Sequence, residues 1–304
     1  MPQARIWGVL TALALLSLGV RAEATTRAYT DSVGRTVQVA FPPQRIVSLA
    51  PSVTEMLFGV GVEDQLIAVT DFCDYPEGAR HKPKVGSMYH PNIERIVALQ
   101  PDLVITAVGA SRKETVLRLE ALGLPIYVLN PKTMAEIFAS ITRVGELVAR
   151  TETAQRIVSN LTERLAAVQR RLSDRRPVRT LYVLWYQPLI TVGQGSFLHE
   201  LITLAGGENL SKDAMLDYPT YSLEEVIAAD PEVIVLNSDS APLLRLLSQS
   251  PQRWAQVAAV RQQRLYVVDT GLLNRPGPRS VDAVELLARF FHPEAFGPHA
   301  PERR

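Results

Sequence analysis

The sequence predicts an α/β protein of two similar lobes. Each lobe is built on a central, mostly parallel sheet, one long rigid α-helix joins them, and a ligand cleft lies between them. Three observations predict this. The first is an internal repeat: residues 92–105 read NIERIVALQPDLVI and residues 222–235 read SLEEVIAADPEVIV. The two blocks align without a gap, matching Glu94 to Glu224 and Pro101 to Pro231. Each reads as a helix that stops before a proline, then a buried strand, which makes the unit one α/β element repeated. The second is the stretch Thr151 to Ser173, uninterrupted by Gly or Pro. Its apolar residues at Ala154, Ile157, Val158, Leu161, Leu165, Val168 and Leu172 form one stripe at helical spacing. Such a helix is on the order of 30 Å long, enough to hold two lobes at a fixed distance. The third is the alternation of strands and helices on both sides of it, which implies parallel sheets.

Element by element, residues 1–24 form an expected signal peptide, with Arg5 before an apolar run and Ala22-Glu23-Ala24 as the small-x-small cleavage site. The mature protein is then exported, soluble and, in a bacterium, periplasmic. Residues 25–150 form the N-terminal lobe. Thr26 to Phe41 reads as a polar strand or hairpin turning at Asp31–Gly34, followed by strands at 45–50, 66–70, 103–108 and 125–129. A helix ending in Gly covers 54–61, and one capped by Ser111 and stopped by Gly123 covers 111–123. A helix over 133–150 closes the lobe. The connecting helix occupies 151–176, where Pro177 stops it. Residues 177–295 form the second lobe, with strands at 179–185, 233–237 and 264–268 and helices at 197–205, 222–229, 242–249 and 280–291. Residues 296–304 are a tail.

At 304 residues the length allows two domains, and the net charge of +1 gives no electrostatic basis for nucleic-acid binding. A single cysteine, Cys73, rules out an intramolecular disulfide and reads as a buried apolar residue. The five histidines at 81, 90, 199, 292 and 299 have no zinc spacing. His199 reads as structural, and His292 and His299 as solvated in a Pro-rich tail. No phosphate loop, dinucleotide fingerprint or nucleophile elbow is present. Catalytic and metal-ligating residues are therefore expected to be none, with no resident cofactor.

What the chain offers instead is loops rich in aromatic and polar groups at predicted strand ends: TDFCDYP at 70–76, VGSMYHPN at 85–92 and LDYPTYS at 216–222. The last two occupy equivalent positions in the repeat, so Tyr89 and Tyr218 are expected to face a common ligand. Trp185 and Tyr186 add aromatic surface at the end of a strand. A wide aromatic cleft suits a large, flat, partly apolar ligand with polar edges.

The runs RIVSLAPSVTEMLFGVGVEDQLIAVTDFCDYP, NIERIVALQPDLVI, GGENL and NRPGPR resemble the periplasmic substrate-binding proteins of ABC importers for vitamin B12, haem and iron-siderophores. The likeness covers roughly residues 43–290 and is strongest to the cobalamin binders. It implies a monomer that delivers ligand to a permease dimer with its ATPase subunits and does no chemistry, cobalamin being the ligand and haem or a ferric siderophore the alternative. It implies that Glu94 and Glu224 dock onto permease arginines. Together with the aromatic loops, it gives an expected ligand site of Phe72, Met88, Tyr89, Trp185, Tyr186, Tyr218 and Arg275. Phe72 and Tyr218 fall where cobalamin binders are aromatic. Met88, Ala107 and Leu272 stand where they carry Trp. Tyr89-His90 raises iron ligation in the haem alternative. Arg275 and Arg279 could meet ligand carboxylates or amides, or else hold the last loop in place.

Overall fold

The structure, a computed structural model, describes residues 25–249 and 251–296. The signal segment and the end of the tail, with His299, lie outside these residues. Among the described residues, twelve strands follow in chain order: β1 (Thr25–Thr30), β2 (Thr36–Phe41), β3 (Ile46–Ser48), β4 (Leu66–Val69), β5 (Leu103–Ala107), β6 (Ile126–Leu129), β7 (Val178–Val183), β8 (Trp185–Tyr186), β9 (Leu189–Ile190), β10 (Gly207–Asn209), β11 (Val233–Asn237) and β12 (Leu265–Val268). β1 and β2 form the expected hairpin, and Asp31 secures its turn by accepting from the amides of Val33 and Arg35.

Two four-stranded parallel sheets carry the lobes. Their spatial orders are β4-β3-β5-β6 and β10-β7-β11-β12. Numbered within each lobe, both orders are 2-1-3-4, so the repeat seen in 14 residues extends to the whole topology. The central strands β5 and β11 are near-continuous apolar runs, as burial on both faces requires. Leu103 to Ala107 and Val233 to Asn237 are buried throughout.

The connecting helix runs Thr151–Leu172, with Ala154, Leu161, Val168 and Leu172 buried and Ile157, Val158 and Leu165 partly buried against the core. It packs on the helix before it, Met134–Leu147, and on the last long helix, Ser280–Phe291. Arg164 ties it to the latter, donating to Asp282 at 2.5 Å and to both oxygens of Glu285 at 2.8 and 3.0 Å. One hydrophobic cluster runs from Val37 to Phe291 through this helix, so the lobes share a core.

The structure corrects several boundaries. The helix expected over 133–150 ends at Leu147, and Ala149 at φ 55° breaks the path before Thr151. Ser111 does not cap: the helix there is Lys113–Ala121, and Ser111 Oγ pairs with Thr106 Oγ1 at 2.7 Å. The strand expected over 179–185 stops at Val183, and Trp185-Tyr186 pairs with Leu189-Ile190 as a separate hairpin. β10 is an edge strand of three residues, Gly-Glu-Asn, too short and polar to show alternation. His292 is not solvated. It is 4% exposed, with Nε2 3.0 Å from the Gly206 carbonyl.

Candidate functional site: the aromatic rims between the lobes

Ligands of open α/β sheets bind outside the carboxyl ends of the strands, where the strand order reverses. In both lobes the aromatic loops are fastened to those ends. In the N-terminal lobe, Val85 donates to the Val69 carbonyl at the end of β4, and Asp71 donates to Gly86. This zips the 70–76 loop to the 85–91 loop. Gly86, at φ +92°, makes the turn, and an added Cβ would lie 3.4 Å from the Asn92 amide. Phe72 and Tyr89 then meet edge to face, with ring centroids 6.2 Å apart. The second lobe repeats the device. Thr191 donates to Pro219, Gly193 to Asp217 and Tyr221 to Leu189, which lays the 217–221 loop along the β8–β9 hairpin. That hairpin holds Trp185 and Tyr186 with centroids 5.5 Å apart, and Trp185 Nε1 donates to the Gln187 carbonyl.

Phe72, Tyr89, Trp185 and Tyr218 are exposed, at 44, 46, 44 and 56%. Tyr186 and Met88 are half-buried. Partial burial, with Asp217 nearby, holds the Tyr218 phenol above its ordinary value, so it keeps its proton as a donor. Ala107 is buried at the end of β5 and Leu272 packs against the core, so neither presents an aromatic surface. His90 is exposed in its loop. Cys73 is fully buried, with its Sγ 3.1 Å from Thr54 Oγ1 and 3.2 Å from Thr70 Oγ1.

Immediately after each aromatic loop comes the repeat helix: Ile93–Ala98, capped by Asn92, and Leu223–Ala229, capped by Ser222 in a capping box with Glu225. Glu94 and Glu224 therefore take the second position of equivalent helices, both exposed. The helix dipole favours an acid at that point. Glu224 carries a partner, with Arg253 Nη2 at 2.5 Å from Oε1.

Arg275 takes a different place from that of a free donor at a ligand edge. Only 18% of its side chain is exposed, and its donors go to Asp74 Oδ1 at 2.6 Å and the Phe72 carbonyl at 3.2 Å. Glu55 Oε1 stands 3.7 Å away. Arg279 grips Glu55 with two bonds, 2.6 and 2.9 Å, and lies 3.9 Å over the Tyr75 ring. These contacts bring the loop after β12 against the loop after β4, so the carboxyl ends of the two sheets confront each other. Burial raises the Glu55 pKa above the carboxylate norm despite Arg279. Burial also pushes Asp74 up, but the Arg275 hydrogen bond and charge outweigh it and the net shift is downward.

A second bridge lies elsewhere between the halves. Glu200 Oε2 accepts from the Met134 amide at 2.6 Å, so a carboxylate of the second lobe lies at the amino end of a helix of the first. Sequence reasoning missed Glu55, Asp74 and Glu200. A trace of the first was readable, since Glu55 is the one charge inside PSVTEMLFG.

Two parallel-sheet lobes with like topology, carboxyl ends confronting across aromatic rims and a stiff helix behind them define a receptor that holds a solute between lobes. The chain belongs to the periplasmic binding protein family, whose profile matches residues 46–271. It is 33% identical over 250 residues to a vitamin B12-binding protein of Vibrio cholerae serotype O1, covering 82% of this chain and 90% of that one. The crystal structure of the periplasmic vitamin B12 binding protein of Vibrio cholerae superposes with a TM-score of 0.73 at 31% identity, over 84% of this chain and 99% of that one. A periplasmic haem-binding protein from Roseiflexus sp. RS-1 superposes with a TM-score of 0.74 at 26% identity, over 83 and 99%. Among the described residues, no helix is long and apolar enough to cross a membrane.

Proposed function

We propose that the protein is the solute-binding component of an ABC importer, that it takes cobalamin between its lobes, and that it hands the ligand to a membrane permease. The observation that carries this reading is the two sets of exposed aromatics, Phe72 and Tyr89 at the carboxyl end of β4 and Trp185 and Tyr218 beyond the carboxyl end of β7, in a chain similar to vitamin B12-binding proteins. A corrin is broad, flat and mostly apolar, with amides at its edge. Aromatic rings bind such a body through stacking and dispersion, and the Tyr89 and Tyr218 hydroxyls can serve its edge. Docking falls to Glu94 and Glu224, two equal charges at equivalent helix positions, suited to two equal permease subunits bearing arginines.

Calorimetric titration of the mature chain with cyanocobalamin and, separately, with haemin tests the ligand. Tight one-to-one cobalamin binding with little haemin binding is expected. Tight haemin binding with a new Soret band would move the ligand to haem. That second reading draws on the exposed Tyr89-His90 pair and on the haem-binding relative. The double variant Glu94→Ala, Glu224→Ala should keep the ligand affinity of the parent and lose ligand delivery in reconstituted vesicles. Loss of ligand affinity would instead put the two glutamates in the pocket.

A further inference from the structure

The charged cluster at the lobe junction has a job that neither binding surface nor docking surface accounts for. Both arginines come from the 274–279 loop between β12 and the helix Ser280–Phe291. That loop is anchored to its own lobe by Tyr182 Oη, which donates to Asn274 Oδ1 at 2.9 Å. Its arginines bond almost wholly to the other lobe: Glu55, Asp74, the Phe72 carbonyl and the Tyr75 face, with the Gly271 carbonyl as the exception at 3.3 Å. Gly277 lets the loop lie on the helix Pro51–Gly59, since a Cβ there would come within 3.3 Å of Ser52 Cβ. Two acids and two guanidiniums leave the cluster neutral. A carboxylate as buried as Glu55, 2% exposed at the side chain, is costly to keep even when paired. What a bidentate fork supplies and an apolar contact does not is a fixed direction and distance.

We infer that Arg275 is a positioning residue of the ligand site, acting through Asp74 and the Phe72 carbonyl to set where the Phe72 ring, and Tyr89 against it, stand. Arg279 on Glu55 fixes the separation of the lobes at that end. This inference rests on the reading that the aromatic rims hold the ligand. It assigns Arg275 no contact with the ligand itself. The chain of action is Arg275 to the 70–76 loop, Phe72 to Tyr89, and the Phe72–Tyr89 pair to the ligand.

The test is a double-mutant cycle on the mature chain with cyanocobalamin as probe. Arg275→Ala and Asp74→Ala should each weaken binding by about tenfold, and the double variant should be no weaker than the weaker single variant, because the Arg275–Asp74 bond is already lost in either. Losses that multiply, to about a hundredfold in the double variant, would mean that Arg275 meets the ligand directly and would overturn the inference. Lobe spacing gives a readout that needs no ligand. Spin labels at Lys113→Cys and Gln262→Cys, exposed sites in the two lobes, should give one narrow distance distribution in the parent, while Cys73 is buried and stays unlabelled. Adding Glu55→Ala with Arg279→Ala, which removes both sides of the buried pair, should broaden or shift it, and an unchanged distribution would overturn the brace. If the parent binds no cyanocobalamin, the ligand reading fails and the spacing measurement still decides the brace.

Discussion

Glu224 comes to any docking partner already engaged, whereas Glu94 makes no ion pair among the described residues. The Arg253–Glu224 pair is exposed at both ends, and such pairs contribute about 1 kcal/mol or less. In the proposed docking, a permease arginine would displace Arg253 from one lobe only. Arg253→Ala should therefore strengthen docking by up to about fivefold at low salt, and the gain should vanish at high salt, as read by surface plasmon resonance on the reconstituted permease. A second residue-scale prediction concerns acid stability. Glu232 precedes β11, accepts two bonds from Arg176 at 2.6 and 2.9 Å and one from the Arg179 amide, and the Arg176 bonds lower its pKa to about 2. A depressed folded-state pKa means that the unfolded chain binds more protons below pH 4.5. The stability from Glu232 is thus complete above 4.5 and lost as pH falls toward about 2. Glu232→Gln should flatten the stability profile in that window in denaturant melts and leave its slope near neutrality unchanged. At this scale the sequence was readable where local repetition matched positions, as for Glu94 and Glu224, which take the same place in equivalent helices. It was silent where a role depends on residues far apart, as for Arg275 and Asp74, 201 positions from each other.

The elements follow from local chemistry more directly. The strands at 103–107, 126–129, 233–237 and 265–268 are apolar, β-branched runs next to Gly, Pro or Asp, and the structure keeps them within a residue or so of their expected places. The hairpin at 185–190 escaped because each of its strands is only two residues long, and the strand at 207–209 because its pairing with β7, not propensity, makes it a strand. The junction of Met134–Leu147 with the connecting helix depends on Gly145, where a Cβ would lie 2.4 Å from Ala154 Cβ and 3.1 Å from the Arg150 carbonyl. The two helices approach there too closely for a side chain at position 145. Gly145→Ala should overpack this contact and cost about 1–3 kcal/mol, visible as a lower denaturation midpoint with an unchanged m-value. The same substitution at Gly59, whose nearest neighbour beyond its own helix is 3.8 Å away, meets no such obstacle.

For the whole molecule, three kinds of connection hold the lobes: the helix Thr151–Leu172, the arginine cluster on Glu55 and Asp74, and Glu200 at the amino end of Met134–Leu147. A hinge closing by tens of degrees would have to break the last two. Small-angle scattering with and without ligand should therefore show a change in radius of gyration of about an ångström or less, in contrast to wide hinge closure. The two-lobed α/β architecture was legible because the repeat and the long amphipathic stretch are both visible in one chain. The bridges were not, because a single Glu or Arg on a helix or loop carries no mark of the surface it will meet.

The cluster that runs unbroken from Val37 to Phe291 has a consequence for the history of this architecture. Two halves with the same 2-1-3-4 strand order suggest descent from one unit copied in tandem. Either half, separated from the other, should therefore fail to fold. Cutting the chain at the connecting helix would expose the buried face of that helix together with Leu172, Val178 and the residues packed on Phe291. Heating should accordingly melt the protein in one calorimetric transition, the duplicated parts having become a single folding unit.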